Sequence, residues 1–320
     1  MEKCERMAGR LGSVFQCDSF GERNKEKNLY LISYGDARNG FFIHFHWLLK
    51  YLCVAQRYGF IPVVEWSKDI PYAEGNPVNG TCNPFEYYFE QPGHITPDEA
   101  RDSYNVFRAE TIHLEDHFLN REIPDGEKGG YLISDQMMEC LAEAERKYIR
   151  LNKQMQEYIE KELSILPQNE RIIGVHYRGS DFKKNYNKHP VSIGVEEYIC
   201  NVEGLLQKGY DRIFLATDDA GAVCAFEERF GDKVIYFKDV VRTDGTVSVA
   251  FSEERRENHK YLLGREVLRD MLTLAACDAI VSGMSQVSIS AQITKLSYNE
   301  RYEDRIILSK GVNHNLNYFG

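Results

Sequence analysis

The 320-residue chain carries 39 basic against 49 acidic residues, a formal charge of -10, with 43% hydrophobic and 12% aromatic residues. That length and apolar content suit two domains with separate cores, and the acidic balance excludes the broad cationic face that duplex nucleic acid requires. No apolar run approaches the length of a membrane span. The start, Met1 to Phe15, mixes charges and lacks a signal peptide's apolar segment, so a cytoplasmic protein is expected.

The first strand expected is Asn28 to Tyr34, an apolar run that ends in the turn-forming stretch from Gly35 to Gly40. Phe41 to Tyr58 is apolar all round and reads as a buried helix ended by Gly59, with a second strand from Phe60 to Trp66. Ser67 to Pro97 reads as loops around an aromatic cluster from Phe85 to Phe89, and Met137 to Leu166 as one long helix bridging two domains. A second series follows: strand Arg171 to Tyr177, helix Ile193 to Lys208, strand Arg212 to Ala216, helix Ala220 to Phe230 and strand Lys233 to Phe237. After a charged segment, Thr243 to Lys260, come helix Gly264 to Cys277, strand Ala279 to Ser282, helix Ser285 to Lys295 and strand Arg305 to Leu308. Alternating strands and helices imply an α/β fold of two Rossmann-like domains, residues 1–166 and 167–320.

The eight cysteines are widely spaced, with no C-x-x-C, and read as reduced and mostly buried. His44 and His46, two apart on a helix, point to different faces and make no zinc pair.

Ligands of open α/β sheets bind beyond the carboxyl ends of the strands. Three loops of the second half stand there: His176-Tyr177-Arg178-Gly179-Ser180-Asp181, Ala216-Thr217-Asp218-Asp219 and Ser282-Gly283-Met284-Ser285. Arg178 carries the planar donor fork that grips phosphate. Ser285 opens a helix, either as a plain cap or as a phosphate contact made with the helix's free N–H groups. Asp218 and Asp219 read as a weak metal pair, or the first of them as only a helix cap; no D-x-D occurs in the chain, which favours chemistry without a metal, the arginine doing a cation's work on a leaving pyrophosphate. Asp270 reads either as a carboxylate for the N1 and N2 donors of guanine or as a solvated partner of Arg269.

The stretches GVHYRGSDF, IFLATDD and GREVLRDMLTLAACDAIVSGMSQVS, in that order, resemble the three motifs of the α1,6-/α1,2-/protein O-fucosyltransferase superfamily, most of all the bacterial nodulation-factor type. The resemblance covers about Arg171 to Leu296, with weaker support from Asn28 to Trp66 and Asn83 to Phe89. It implies a GT-B glycosyltransferase that uses GDP-β-L-fucose without a metal or other cofactor and inverts the anomeric carbon. Arg178 would then bind the β-phosphate. His176 and Asp270 would stand at the nucleotide, Asp270 on guanine, and Asp218, Asp219, Ser285 and Tyr198 would complete the donor site. The chain differs from the α1,6 enzymes in two places. Gly179 stands where they carry a second arginine, and residues 182–195 hold no carboxylate to act as base. Asp181, His189 and Glu196 remain for that task, and His189, with an ordinary pKa near neutrality, is the base expected.

The expected protein is therefore a cytoplasmic fucosyltransferase acting on a glycan hydroxyl, such as that of a bacterial surface-polysaccharide precursor. It would have no nucleic-acid partner and would touch membranes only peripherally, through a lipid-linked acceptor. A GT-B transferase for another nucleotide sugar, or an inactive nucleotide-sugar-binding protein, are the alternatives.

Overall fold

A computed structural model describes residues 15–37, 39–109, 133–179, 184, 186–243 and 256–315. The chain forms two compact units, one of Met1–Glu122 with Glu139–Gln156 and the other of Ile123–Met138 with Glu157–Gly320. Asp181, Arg38 and most of the charged segment after Thr243 lie outside the described residues.

The first unit contains strands β1 (Phe15–Asp18), β2 (Leu29–Tyr34), β3 (Ile61–Trp66) and β4 (Val106–Ala109), with helices α1 (Phe41–Tyr58) and α2 (Pro97–Ala100). Its sheet runs β1-β4-β2-β3; β2 is parallel to both neighbours and β1 is antiparallel to β4. The expected strand-helix-strand is present to within a residue. Helix α1 buries residues on every side, including Phe45, Leu48, Leu49 and Leu52, and ends at Gly59 in the left-handed conformation (φ 69°). The open edge of β3 is closed by side-chain amides rather than by another strand. Gln91 accepts from Val64 N–H (2.9 Å) and donates to Val64 C=O (2.7 Å), while Asn83 donates to the same carbonyl and accepts from Trp66 N–H. These bonds give the Asn83 to Phe89 stretch a packing role: Phe85, Tyr87, Tyr88 and Phe89 are all at most 2% exposed.

The expected long helix is instead two, α3 (Asp135–Tyr148) and α4 (Lys153–Leu163). Between them Leu151 bridges Phe89, Arg150 C=O accepts from Glu90 N–H, and Asn152 caps α4 through Met155 N–H at 2.9 Å. An asparagine placed to cap a following helix outweighs the helix-forming residues on either side of it.

The second unit contains strands β5 (Ile172–Tyr177), β6 (Arg212–Thr217), β7 (Val234–Ile235), β8 (Ala279–Gly283) and β9 (Asp304–Leu308), linked by helices α5 (Val195–Gln207), α6 (Ala220–Phe230), α7 (His259–Ala276) and α8 (Gln286–Ser297). All pairings are parallel in the order β7-β6-β5-β8-β9. All six residues of β5 are buried, as a central strand covered on both faces requires. Ile173, Val175, Ile213, Leu215, Ala279 and Val281 pack with Val202, Leu205 and Phe226 into one core. Each of the fully buried Val, Ile, Leu and Phe side chains contributes roughly 1.5–3 kcal/mol. Strand order reverses between β5 and β8, which opens a crevice at their carboxyl ends.

The expectation of mostly buried cysteines is corrected. Cys17, Cys82, Cys200 and Cys224 are exposed and only Cys53 and Cys277 are buried; none of the seven described is in a disulfide. The exposed thiols lie on the edge strand β1, in the loop at Cys82 and on helices α5 and α6, positions that the cysteine's usual burial does not reveal.

Candidate functional site

The sequence-selected loops converge at the reversal point of the second unit. Arg178 follows β5 directly, and its Nη1 lies 2.6 Å from Asp218 Oδ2, just beyond β6. The other oxygen of Asp218 accepts from Gly179 N–H at 3.0 Å. Asp218 therefore grips both the side chain and the backbone of the β5 loop and fixes the guanidinium. Its neighbour Asp219, 4% exposed, caps α6 by accepting from Gly221 and Ala222 N–H.

Gly179 has a steric cause. A Cβ there would lie within the Asp219 carboxylate, which is itself fixed by its capping bonds. A second arginine cannot be accommodated in this loop conformation. Gly179→Ala is expected to lower stability by about 1–3 kcal/mol through this overlap, read as a lower melting temperature, with the Arg178–Asp218 contact disturbed as well.

Across the crevice, His176 Nδ1 lies 3.0 Å from Ser285 Oγ. Burial, with Arg178 adding to it, lowers the His176 pKa to about 4, so the ring is neutral near pH 7. Ser285 is 3% exposed and forms a capping box with Ser288 at the start of α8. Its hydroxyl is thus committed to the cap and to His176, which leaves helix N–H groups as the anion-facing donors. Tyr198, 3% exposed, packs edge-on to Tyr177 at 5.1 Å and sets its hydroxyl against the Gly283 backbone. Burial pushes its phenol pKa up. Its hydroxyl contacts the β8–α8 loop at Gly283.

The alternative of an Asp270–Arg269 pair is corrected. Arg269, 1% exposed, turns instead to Asp239 (2.6 and 3.0 Å), Glu162 (2.6 Å) and Tyr158 (2.9 Å), and stacks on Phe237 at 3.8 Å. Among the described residues nothing donates a hydrogen bond to the Asp270 carboxylate. Burial raises its pKa to about 7, against the favourable charges of Arg269 and Arg242 and with Glu266 and Asp239 pushing the same way as burial. A half-buried carboxylate with no donor among the described residues can take N–H groups from a ligand.

Arg242 was missed by the sequence reading. It donates to Phe237 C=O (2.8 Å) and Val240 C=O (3.3 Å), and it acts on Asp270 through space. The next residue, Thr243, exchanges backbone hydrogen bonds with Asp218 C=O and Ala220 N–H, which ties this segment to the Arg178 clamp. The signal was available in its position after a strand, but β7 is only two residues long and the charged segment beyond it obscured the loop.

His189 sits in a turn pinned by Asn313, whose N–H donates to His189 C=O at 2.8 Å, with Tyr186 edge-on at 5.6 Å. The adjoining Pro190 and Val191, not His189, join Arg178, Tyr198 and Met284 in lining a narrow cleft. Glu196 is exposed on the first turn of α5.

The sheets define a class: an α/β protein of two Rossmann-like units with a GT-B-type fold, with a crevice at the strand reversal of the second unit. No family model and no curated protein matches the sequence. Among solved structures, the fucosyltransferase NodZ from Bradyrhizobium is similar at 15% identity, covering 83% of this chain and 92% of that one, with a TM-score of 0.50. POFUT1 in complex with GDP-fucose is similar at 11% identity, covering 89% of this chain and 99% of that one, with a TM-score of 0.51. The fold of this chain is the fucosyltransferase type.

Proposed function

We propose that the protein is an inverting, metal-independent fucosyltransferase that transfers L-fucose from GDP-β-L-fucose to a hydroxyl of a glycan, with the second unit holding the donor and the first the acceptor. The observation that carries this reading is the Arg178 guanidinium, clamped by Asp218 at the point where strand order reverses. A fixed cation there is preorganised for the β-phosphate oxygen on which charge accumulates as the sugar departs. The acceptor oxygen forms its bond to C1 while the bond from C1 to the phosphate oxygen breaks, and GDP leaves with the electron pair. Among the candidate bases, Asp181, His189 and Glu196, we assign the acceptor's proton to His189, whose turn reaches the lining of the Arg178 cleft through Pro190. Asp270 takes guanine, His176 stands at the nucleotide, and Asp218, Asp219, Tyr198 and Ser285 position these groups.

Among the described residues no helix is long and apolar enough to cross a membrane. In this reading the protein acts in the cytoplasm on a glycan acceptor that can be lipid-linked.

Thermal-shift measurements with GDP, UDP, ADP and CMP test the donor class. GDP at 100 times its dissociation constant is expected to add about 2.7 kcal/mol to stability, with little effect of the other three. Stabilisation by UDP or ADP but not by GDP would remove Asp270 from its proposed role.

A further inference from the structure

Two helices of the first unit meet through sulfur. Cys53 of α1 and Cys140 of α3, 87 residues apart in the chain, place their Sγ atoms 3.7 Å from one another. The Cys53 thiol also reaches Cys140 C=O at 3.6 Å. The two sulfurs differ in access. Cys53 is buried among the apolar residues of α1, whereas Cys140 is half-buried, one helical turn from the buried Met137 and Ala144. Solvent therefore meets Cys140 first. The hydrogen bond from Cys53 lowers the Cys140 pKa, against burial and the nearby Glu143 carboxylate, and the same contact, with burial, keeps the Cys53 thiol protonated. The thiolate is the nucleophilic form, so the pair has an attacking sulfur at its surface and a second sulfur directly behind it.

We propose that Cys140 and Cys53 form a dithiol modification site that reacts with small disulfides of the glutathione type and closes to a reversible disulfide joining α1 to α3. The site lies outside the crevice of the second unit and does not depend on which sugar or nucleotide that crevice takes. In the first step the Cys140 thiolate attacks one sulfur of the small disulfide, whose S–S bond breaks, and one small thiolate leaves with the electron pair. A mixed disulfide remains on Cys140. Cys53 then gives its proton to the departed thiolate, and its sulfur attacks Cys140 Sγ and expels the second small thiolate, which takes the proton released from Cys140. The two protein thiols lose two electrons, and one small disulfide gains them as two thiols. The sulfurs have to approach by about 1.7 Å to reach the roughly 2.05 Å of a disulfide bond. Reduction by an excess of small thiol runs the same steps backwards. The bond would close a long loop of the first unit and restrict its unfolded chain.

The test treats the folded full-length protein with oxidised glutathione, then unfolds it in iodoacetamide and maps every cysteine by mass spectrometry. The exposed Cys82, Cys200 and Cys224 report that the reagent has reacted. The wild type is expected to yield a peptide cross-linked between Cys53 and Cys140, which dithiothreitol separates. Its melting temperature is expected to rise by about 5–15 °C relative to Cys140→Ser treated in the same way. Cys53→Ala, which cannot close the bond, is expected to keep glutathione on Cys140, and Cys140→Ser to leave Cys53 carrying only the iodoacetamide tag. The cross-link is read on the wild type, so a poorly folded variant does not weaken the result. A wild type that ends with glutathione on Cys140 and the tag on Cys53 would overturn the pairing. So would the tag on both once the three exposed cysteines have taken glutathione.

Discussion

Arg178→Ala is expected to lower kcat/KM for GDP-fucose by at least about 100–1,000-fold, the range for removing one preorganised donor from a developing oxyanion. Three features of the site put the effect at or beyond that range. The clamp on Asp218 gives the guanidinium a single orientation before the donor arrives. The adjacent position is Gly179, and the Asp219 carboxylate leaves no space there for another cation. The proposed chemistry also has no metal to share the charge. The alanine variant further leaves Asp218, 10% exposed, without its charged partner, so a modest drop in melting temperature should accompany the loss of turnover. Arg178→Lys separates charge from geometry: a lysine restores a point charge near Asp218 but not the fork that spans two oxygens, and is expected to recover only part of the rate. Near-normal turnover by Arg178→Ala would remove the phosphate clamp from the account.

The second large effect is on GDP affinity through Asp270. Its carboxyl has a pKa of about 7 in the free protein, and only the ionised form accepts from guanine N1–H and N2–H. Affinity should therefore rise with pH: between pH 6 and pH 8 the ionised fraction goes from about one-tenth to about nine-tenths, a gain of roughly ninefold. Binding favours the carboxylate, so GDP uptake in this range releases protons. Asp270→Asn is expected to cost roughly 100-fold in affinity at pH 8, from two bonds to a charged acceptor, and to lose the part of the slope that belongs to the protein. The phosphate titration of GDP persists in the variant and serves as its control. Inosine diphosphate, which lacks the N2 amine, should bind the wild type more weakly than GDP and bind Asp270→Asn with little difference from it. A pH slope identical in the two proteins would exclude Asp270 as the guanine acceptor.

The same shifts fix the sign of stability against pH. The Asp270 pKa is raised above its unfolded value of 3.8, so its contribution is present below that pH and is lost as pH rises through about 7. That of His176 is lowered from 6.5 to about 4, so its contribution is present above 6.5 and lost as pH falls toward 4.

Much of the second unit was legible because its signals are local. A run such as Ile172 to Tyr177 can only be a buried strand, and in a doubly wound sheet the residues just after such strands form the ligand crevice. That logic located Arg178, Asp218 and Ser285. It misassigned their separate tasks: the first acid, Asp218, reads as the cap, whereas α6 is capped by Asp219 and Asp218 holds Arg178. Nor could it separate Asp270 from Arg269, since only the packing of Tyr158, Glu162, Phe237 and Asp239 draws the arginine away. The break between α3 and α4 was readable in Asn152, whose capping signal was outweighed by a helix-rich composition. The short strands β1 and β4 left little trace, since four residues give period-two alternation no length to establish itself.

The most direct test of the central claim is a crystal structure of the protein soaked with GDP. The β-phosphate is expected on Arg178 near the start of α8, with guanine N1 and N2 on Asp270. A nucleotide ordered elsewhere, or one in this crevice with its base turned away from Asp270 and its phosphates away from Arg178, would contradict it.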